Sequence, residues 1–187
     1  KAVLFKEFAG VDAIPICLST KDADEIVRTV KLISPNFGGI NLEDISSPRC
    51  VEIERRLKAE LDIPVFHDDQ HGTAIVVTAG LINALKVVHK EFGAIKVVVS
   101  GAGAAGSAIV RMLKNMGTEE IIVCGSKGIL SRDQKYTNWV HQELASITNP
   151  REIHGILSDA MRGADVFIGV SAKDIVTQEM VASMAKD

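Results

Sequence analysis

The sequence predicts an α/β protein with two parallel-sheet domains. Short apolar segments alternate with amphipathic segments of helical spacing along the whole chain, which is typical of parallel sheets covered by helices. A glycine-rich turn follows an apolar segment in the second half. Residues 89–93, HKEFG, form a polar break between two apolar halves, so we predict domains at 1–90 and 91–187.

The first predicted domain contains three strands and three helices in alternation. The predicted strands are AIPICLS (13–19), GGINLED (38–44) and DIPVFHDD (62–69). The predicted helices are DADEIVRTVKLIS (22–34), PRCVEIERRLKAEL (48–61) and GTAIVVTAGLINALKVVH (72–89). Pro48 suits the first turn of its helix, where its missing N–H has no intrahelical partner to lose.

The second predicted domain repeats the alternation. IKVVVSGAGAAGSAIVRMLKNMG (95–117) reads as a strand, a turn and a helix, and EIIVCGS (120–126) reads as the next strand. NWVHQELASIT (138–148) and ILSDAMRGA (156–164) are predicted helices, and DVFIGVS (165–171) is a further strand.

The turn GAGAAG indicates that this second domain is a Rossmann-type dinucleotide-binding domain. Its residues are Gly101, Ala102, Gly103, Ala104, Ala105 and Gly106. The first glycine permits a tight turn, the second lets the backbone approach a pyrophosphate, and the third allows close packing of helix on strand. The following helix N-terminus offers unpaired N–H groups to phosphate. The alternative is a purely structural role for these small residues.

Composition and charge exclude several classes of function. Of 187 residues, 47% are hydrophobic, 24% charged and 4% aromatic, and the net charge of −3 has no basic stripe, which argues against a nucleic-acid partner. Three cysteines without a CxxC pair argue against a disulfide framework or a cysteine-rich zinc site. No unbroken apolar run reaches the roughly 18 residues of a membrane span, so we expect a cytoplasmic protein that does not contact the membrane.

Four carboxylates follow two predicted strands of the first domain. Glu43 and Asp44 end GGINLED, and Asp68 and Asp69 end DIPVFHDD. Neighbouring parallel strands present their carboxyl ends at one edge, where ligands bind, so the four acids are expected to converge there. Like charges this close require protons or a cation, and carboxylate oxygens suit Mg²⁺ or Mn²⁺ better than zinc. Helix capping or a solvated turn explains any one aspartate equally well.

His67 and His71 flank the second acid pair. Their spacing of four would suit two ligands on one helix face, but the intervening DDQ and the following Gly72 argue against a continuous helix face that carries both. We therefore interpret both imidazoles as groups that orient neighbouring carboxylates and help to cap the next helix.

The segments FGGINLEDI, PRCVEIERRL, IPVFHDDQHGTAIV, GAGAAG and GADVFIGVS, in this order and spacing, resemble the bacterial-type malic enzymes. The resemblance covers essentially the whole chain and implies oxidative decarboxylation of (S)-malate to pyruvate and CO₂, with NAD or NADP and a divalent metal. It assigns the metal to Glu43, Asp44 and Asp69. It makes Lys1 the general base and Asp68 its charge partner, and we expect this pairing beside a dication to lower the pKa of Lys1.

The resemblance also concerns the extent of the chain. The family's tyrosine acid would precede Lys1, and its asparagine motifs would follow the last helix, so we expect a central fragment whose two domains are incomplete. Such a fragment alone is expected to be inactive, as a dinucleotide-binding core. A homodimer or larger homo-oligomer is implied for the parent. Malolactic or oxaloacetate-decarboxylating relatives would share these residues and remain alternatives.

The choice of dinucleotide depends on the end of the second strand of the Rossmann-type domain. An NAD-preferring site usually carries an acid about 20 residues beyond the glycine motif, for the ribose 2′-hydroxyl. Here Gly125, Ser126 and Lys127 stand at that point. Ser126 and Lys127 suit a 2′-phosphate by hydrogen bond and charge, which favours NADP over NAD. The alternative is that Gly125 simply relaxes discrimination.

Overall fold

The computed structural model describes residues 1–186, which form eight α-helices and six β-strands. The first half contains α1 (Ala2–Ala9), α2 (Ala23–Ile33), β1 (Ile40–Leu42), α3 (Arg49–Glu60), β2 (Val65–His67) and α4 (Thr73–Val88). The second half contains β3 (Lys96–Ser100), α5 (Ala104–Asn115), β4 (Glu120–Gly125), β5 (Gly128–Ile129), α6 (Trp139–Ile147), α7 (Leu157–Met161), β6 (Val166–Gly169) and α8 (Gln178–Ala182).

The strands form two separate sheets. In the first half β1 pairs with β2 in parallel, and Leu42 lies opposite His67. In the second half the strand order is β5-β4-β3-β6, in which β3, β4 and β6 are parallel and the short β5 is antiparallel to β4. This arrangement confirms the predicted α/β class with parallel sheets.

Helix α2 shows how the local sequence sets the elements of the first half. The Asp22 side chain caps the helix by accepting a hydrogen bond from the backbone N–H of Glu25, at 2.9 Å. Its apolar stripe of Ile26, Val27 and Val30 is buried. These residues pack with β1, α3 and β2 in a small core that burial of apolar surface stabilises.

Helix α3 belongs to both halves of the molecule. Ile53 and Leu57 face the small first core, whereas Cys50 and Val51 join the larger core around β3, β4 and α5. Residues of α4 also enter that larger core. The larger core therefore contains residues from both 1–90 and 91–187. The division into domains at 1–90 and 91–187 stays a prediction.

The strand predicted for residues 13–19 is wrong. The backbone there has no regular secondary structure, and Ile14 and Ile16 are 70% and 49% exposed. A strand needs a neighbour for its N–H and C=O groups, and residues 1–186 offer none to this segment. The apolar composition of residues 13–19 therefore did not suffice to predict a strand.

One helical stretch, Asp68–Val88, is long and apolar enough to cross a membrane by length and composition alone. Polar residues interrupt this stretch, so it contains no unbroken apolar run of that length. Part of this stretch packs in the larger core through Ala74, Leu81 and Leu85. Since core helices of globular proteins pass the same test, the finding is weak evidence for a membrane span.

A partly buried ion pair between Lys90 and Asp165 lies at the start of β6, the edge strand of the larger sheet. The Asp165 carboxylate, 17% exposed, accepts 2.7 Å hydrogen bonds from Lys90 Nζ and from the backbone N–H of Lys96. Burial raises the pKa of the Asp165 carboxyl, but Lys90 and the Lys96 N–H lower it more, so the net pKa lies below the usual range. The ionised form is therefore favoured by folding.

We predict that Asp165→Asn lowers the free energy of unfolding by about 1–3 kcal/mol at pH 7, because Lys90 loses its partner. A depressed folded-state pKa stabilises above the unfolded pKa, about 3.9, and this contribution disappears as pH falls through the folded pKa. Urea unfolding at pH 7 and at about pH 3 measures both points, with the exposed Asp62→Asn as control. Equal stability of Asp165→Asn and the control at pH 7 would contradict the prediction.

Candidate active site

The ends of β1 and β2 bring the four predicted carboxylates to one edge. Because Leu42 and His67 are opposite each other in the register, Glu43 and Asp44 start at the same level as Asp68 and Asp69. Asp44 has a left-handed backbone conformation, with φ of 57°. Its N–H donates to Asp69 Oδ2 at 3.1 Å, which ties the two strand ends together.

Lys1 reaches this edge from the start of α1. Its Nζ lies 2.6 Å from Asp68 Oδ2 and 2.9 Å from Glu43 Oε1, and its side chain is 41% exposed. The Lys1–Asp68 pairing expected from the resemblance is therefore present in the geometry. The two carboxylates together hold the ammonium group in a fixed position.

The two carboxylates favour the protonated form of Lys1. The hydrogen bond to Asp68, followed by that to Glu43, raises the pKa of Lys1 well above its ordinary value. The bond from Lys1 in turn lowers the pKa of Asp68. Nearby negative charges favour the ammonium form, and the lowered pKa expected for Lys1 beside a dication stays a prediction.

The three predicted metal ligands share the edge but do not form a closed set. Glu43 is bonded to Lys1, and Asp44 meets Asp69 through its backbone N–H. Among residues 1–186, no three His, Cys, Asp or Glu side chains are arranged to hold a metal ion. The donor types suit Mg²⁺ or Mn²⁺, and the assignment of the metal to these three residues stays a prediction.

The turn Asp68–Gly72 is helical, but His67 is the last residue of β2, so the two histidines do not share a continuous helix face, as expected. The five residues form one π-helical turn that runs directly into α4, and the N–H of Thr73 bonds to the Asp68 carbonyl. Single π-turns inside helices are frequent at functional sites. A Cβ at Gly72 would collide with the Asp68 carboxylate, so a larger residue there requires that carboxylate to move.

The two histidines take different positions around the π-turn. His67 is fully buried, its Nε2 lies 4.0 Å from Asp69 Oδ2, and burial lowers its pKa. His71 points to α3, with Nε2 2.7 Å from Glu54 Oε1. The proposed role of the imidazoles in orienting carboxylates stays a prediction for His67, while His71 has a carboxylate partner that the sequence analysis missed.

That missed partner, Glu54, is 4% exposed. Lys58 Nζ lies 2.8 Å from Glu54 Oε1, and Gln70 Nε2 donates a long hydrogen bond of 3.4 Å to Oε2. The sequence holds one signal for it, since Cys50, Glu54 and Leu57 follow the helical spacing of a buried stripe. An acid on such a stripe needs a polar partner inside the protein.

The glycine turn has the geometry that its spacing predicts. Gly101 has φ of 119°, and a Cβ there would lie 2.8 Å from the carbonyl oxygen of Val170. A Cβ on Gly106 would collide with the carbonyl of Gly101, so close packing of α5 on β3 requires this glycine. Gly103 faces open space and precedes α5 without a side-chain cap, so the first N–H groups of α5 are available to a phosphate.

The residues predicted to select the dinucleotide lie at the same edge of the larger sheet. The N–H of Gly101 bonds to the carbonyl of Cys124 at 2.9 Å, one residue before Gly125. Ser126 and Lys127 form the exposed tip of the tight turn between β4 and β5. The glycine turn and this tip therefore stand at the carboxyl ends of adjacent parallel strands.

Comparison with known families decides the assignment. Residues 19–58 match the family model described as the malic enzyme N-terminal domain, and residues 70–187 match the malic enzyme NAD binding domain. The chain belongs to the malic enzyme family. The resemblance recognised in the sequence is therefore confirmed.

Individual malic enzymes match this chain along its full length. The NAD-dependent malic enzyme of Geobacillus stearothermophilus is 61% identical over 187 residues, covering 100% of this chain and 39% of that protein. The bifunctional malic/malolactic enzyme of Bacillus subtilis (strain 168) is 57% identical, covering 100% and 46%. The crystal structure of the NAD-dependent malic enzyme of Thermotoga maritima superposes with a TM-score of 0.96 at 48% identity, covering 99% and 50%. The chain thus spans half or less of the length of these relatives.

We predict that Gly72→Ala displaces the Asp68 carboxylate from Lys1 without unfolding the helix. Gly72 has ordinary helical angles, φ −60° and ψ −48°, which alanine also adopts, but the new Cβ takes the space of the carboxylate. The pKa of Asp68 should rise toward that of an ordinary aspartate as its bond to Lys1 weakens. A ¹³C NMR titration of the Asp68 carboxyl measures this change.

Gly80→Ala is the matched control, because Gly80 lies in the same helix with nothing near its missing Cβ. Alanine there should stabilise the helix by about 0.5–1 kcal/mol and leave Asp68 unchanged. If Asp68 titrates identically in the two variants, the Cβ at residue 72 does not control its position.

Proposed function

We propose that this chain supplies the substrate, metal and dinucleotide sites of an enzyme that oxidatively decarboxylates (S)-malate to pyruvate and CO₂ and reduces NAD or NADP. The observation that carries the proposal is the Lys1 ammonium held between Asp68 and Glu43 at the shared edge of β1 and β2. Membership of the malic enzyme family supports the same chemistry.

Lys1 has the position of a group that exchanges a proton with malate. Hydride loss from C2 requires a base to take the hydroxyl proton, and the enol left after decarboxylation requires an acid to protonate C3. A single amine does both if it alternates between its two protonation states. Asp68 and Glu43 orient Nζ and stabilise its protonated form. Lys1 can act as the base only when these interactions weaken and its pKa falls.

Glu43, Asp44 and Asp69 are the residues we propose as metal ligands. Their three carboxylates meet the preference of Mg²⁺ or Mn²⁺ for oxygen, and the Asp44–Asp69 contact already joins the two loops that carry them. A bound dication supplies Lewis-acid stabilisation of negative charge on the substrate oxygens. Glu43 is shared between Lys1 and this ligand set, so its orientation links proton transfer to metal binding.

The dinucleotide is proposed to bind at the glycine turn, with its phosphates at the N-terminus of α5. NAD or NADP supplies the hydride acceptor. The π-turn Asp68–Gly72 packs directly against α5. The turn carries two of the four carboxylates, and α5 begins at the glycine turn, so the proposed metal and dinucleotide sites are built on elements in direct contact. The substrate carbon and the nicotinamide can therefore be brought together by elements that are already in contact.

A second candidate function is malolactic conversion, in which malate becomes lactate and CO₂ without net reduction of the dinucleotide. It is favoured by the 57% identity to a relative named as a bifunctional malic/malolactic enzyme. Product analysis of the full-length protein separates the two, since pyruvate with accumulated NAD(P)H supports the first and lactate supports the second. The homo-oligomer implied by the family resemblance stays a prediction.

We predict that Asp69→Asn in the full-length enzyme weakens Mn²⁺ binding by about 100-fold or more. The change removes a charge from the proposed coordination sphere and keeps its shape, and outer-shell changes alone cost about 10–100-fold. Titration of free Mn²⁺ by electron paramagnetic resonance measures the affinity without depending on turnover. Unchanged Mn²⁺ affinity would remove Asp69 from the ligand set.

Asp68→Asn provides the contrast to this variant. It removes the partner of Lys1, so it should change the pH dependence of malate turnover more than the Mn²⁺ affinity. The reverse pattern, with metal loss in Asp68→Asn and none in Asp69→Asn, would exchange the roles proposed for the two aspartates.

We predict that the full-length enzyme uses NADP in preference to NAD and that Gly125→Asp shifts selectivity toward NAD by about tenfold or more. An acid at the end of β4 binds a ribose 2′-hydroxyl and repels a 2′-phosphate. The site has room, since the nearest atom to an added Cβ is Leu130 Cδ2 at 3.5 Å. The 61% identical relative is named NAD-dependent, so kcat/KM for both dinucleotides must be measured. A tenfold preference of the unaltered enzyme for NAD would overturn the choice.

A further inference from the structure

Glu54 is a buried carboxylate with no part in the proposed chemistry, yet it is linked to the candidate active site. It lies on α3 and is 4% exposed. Desolvating an ionised carboxylate costs free energy unless partners compensate for it. Burial alone raises the pKa of the Glu54 carboxyl, but His71 and Lys58 reverse this and hold the net pKa below its usual range. Glu54 is therefore present as a charged group inside the protein.

Two of the groups around Glu54 belong to the π-turn. Its Oε1 lies 2.7 Å from His71 Nε2, and its Oε2 accepts the 3.4 Å hydrogen bond from Gln70 Nε2. Gln70 is 2% exposed, so this amide has no access to water as an alternative partner. His71 is further confined by the ring of Phe66, whose centroid is 5.6 Å away.

The same turn presents its other members to the candidate active site. Asp68 bonds to Lys1, and Asp69 accepts from the N–H of Asp44. Glu54 of α3 thus contacts Gln70 and His71 of the turn, whereas Asp68 and Asp69 of the same turn contact Lys1 and Asp44. The N–H of Thr73 donates to the carbonyl of Asp68, so the backbone of the turn is closed by a hydrogen bond. A rotation of this short turn about its axis therefore moves Gln70 and His71 together with Asp68 and Asp69.

We propose that Glu54 is a positioning residue of the malate and metal site: through Gln70 and His71 it fixes the rotation of the Asp68–Gly72 turn and so sets the direction of the Asp68 and Asp69 carboxylates. This inference rests on the proposed function, because it assumes that Asp69 binds the metal. Outer-shell residues of this kind are known to tune metal affinity without touching the metal.

The test uses Glu54→Gln in the full-length enzyme. Glutamine keeps the length of the side chain but removes the charge, and its one amide oxygen cannot serve Gln70, His71 and Lys58 together. We expect Mn²⁺ affinity to fall by about 10–100-fold. Dinucleotide affinity, measured by fluorescence titration, should stay within about twofold, because the glycine turn is bonded to β4 through the Gly101 N–H and the Cys124 carbonyl and has no contact with Glu54. A general loss of structure would lower both affinities.

Glu52→Gln is the matched control. Glu52 lies on the same helix, but its side chain is 47% exposed and pairs with Arg56. The Mn²⁺ affinity of the Glu52→Gln enzyme should therefore equal that of the unaltered enzyme. His71→Gln is the second variant in case Glu54→Gln does not fold. The His71 side chain is 32% exposed and its loss removes only one arm of the link, so a smaller fall in Mn²⁺ affinity is expected.

The outcomes separate this inference from the proposed function. If Asp69→Asn weakens Mn²⁺ binding while Glu54→Gln and His71→Gln do not, the positioning role is overturned and the metal site stands. If Asp69→Asn leaves Mn²⁺ binding unchanged, the proposed metal site is overturned and the role of Glu54 with it. If Mn²⁺ and dinucleotide affinity fall equally in both Glu54→Gln and His71→Gln, Glu54 is structural and the inference is overturned.

Discussion

The parallel pairing of β1 with β2 is the constraint on which the candidate active site depends. With Leu42 opposite His67, both loops that follow the strands start at one level, and the acids of the two loops meet. A one-residue slip of either strand would turn its buried residue, Leu42 in β1 or Val65 in β2, away from the first core. The same apolar packing that stabilises the small sheet therefore fixes where the carboxylates lie.

Contact between the two halves is the second condition for a working site. Helix α3 packs into both cores, and the π-turn lies against α5, which carries the glycine turn. Arg55 reinforces this join, since its guanidinium binds Glu143 at 2.9 and 3.0 Å and lies 5.1 Å over the ring of Trp139. Exposed ion pairs contribute little on their own, so shared apolar packing is the main link between the carboxylates after β1 and β2 and the glycine turn.

Much of the fold follows from local sequence, and the exceptions have physical causes. The helices from α2 to α7 and the strands β1 to β4 and β6 lie within their predicted segments because the apolar spacing that marks them is local. Residues 13–19 failed because a strand requires a partner. Helix α1 and the two-residue strand β5 were not predicted from their sequences. The π-turn was not predicted because Asp68 and Asp69 were assigned to the preceding strand and the helical apolar spacing begins only after Gly72.

The sequence by itself determined the family, the glycine turn, the two acid pairs and the pairing of Lys1 with Asp68 through resemblance. Only the tertiary structure decided how the side chains share their partners. It joins Lys1 to Glu43 as well as Asp68, so that both carboxylates raise the pKa of Lys1, and it places Glu54 against His71 of the π-turn. These contacts join residues far apart in the chain, so they depend on strand register and helix packing, which residue type and spacing do not encode locally.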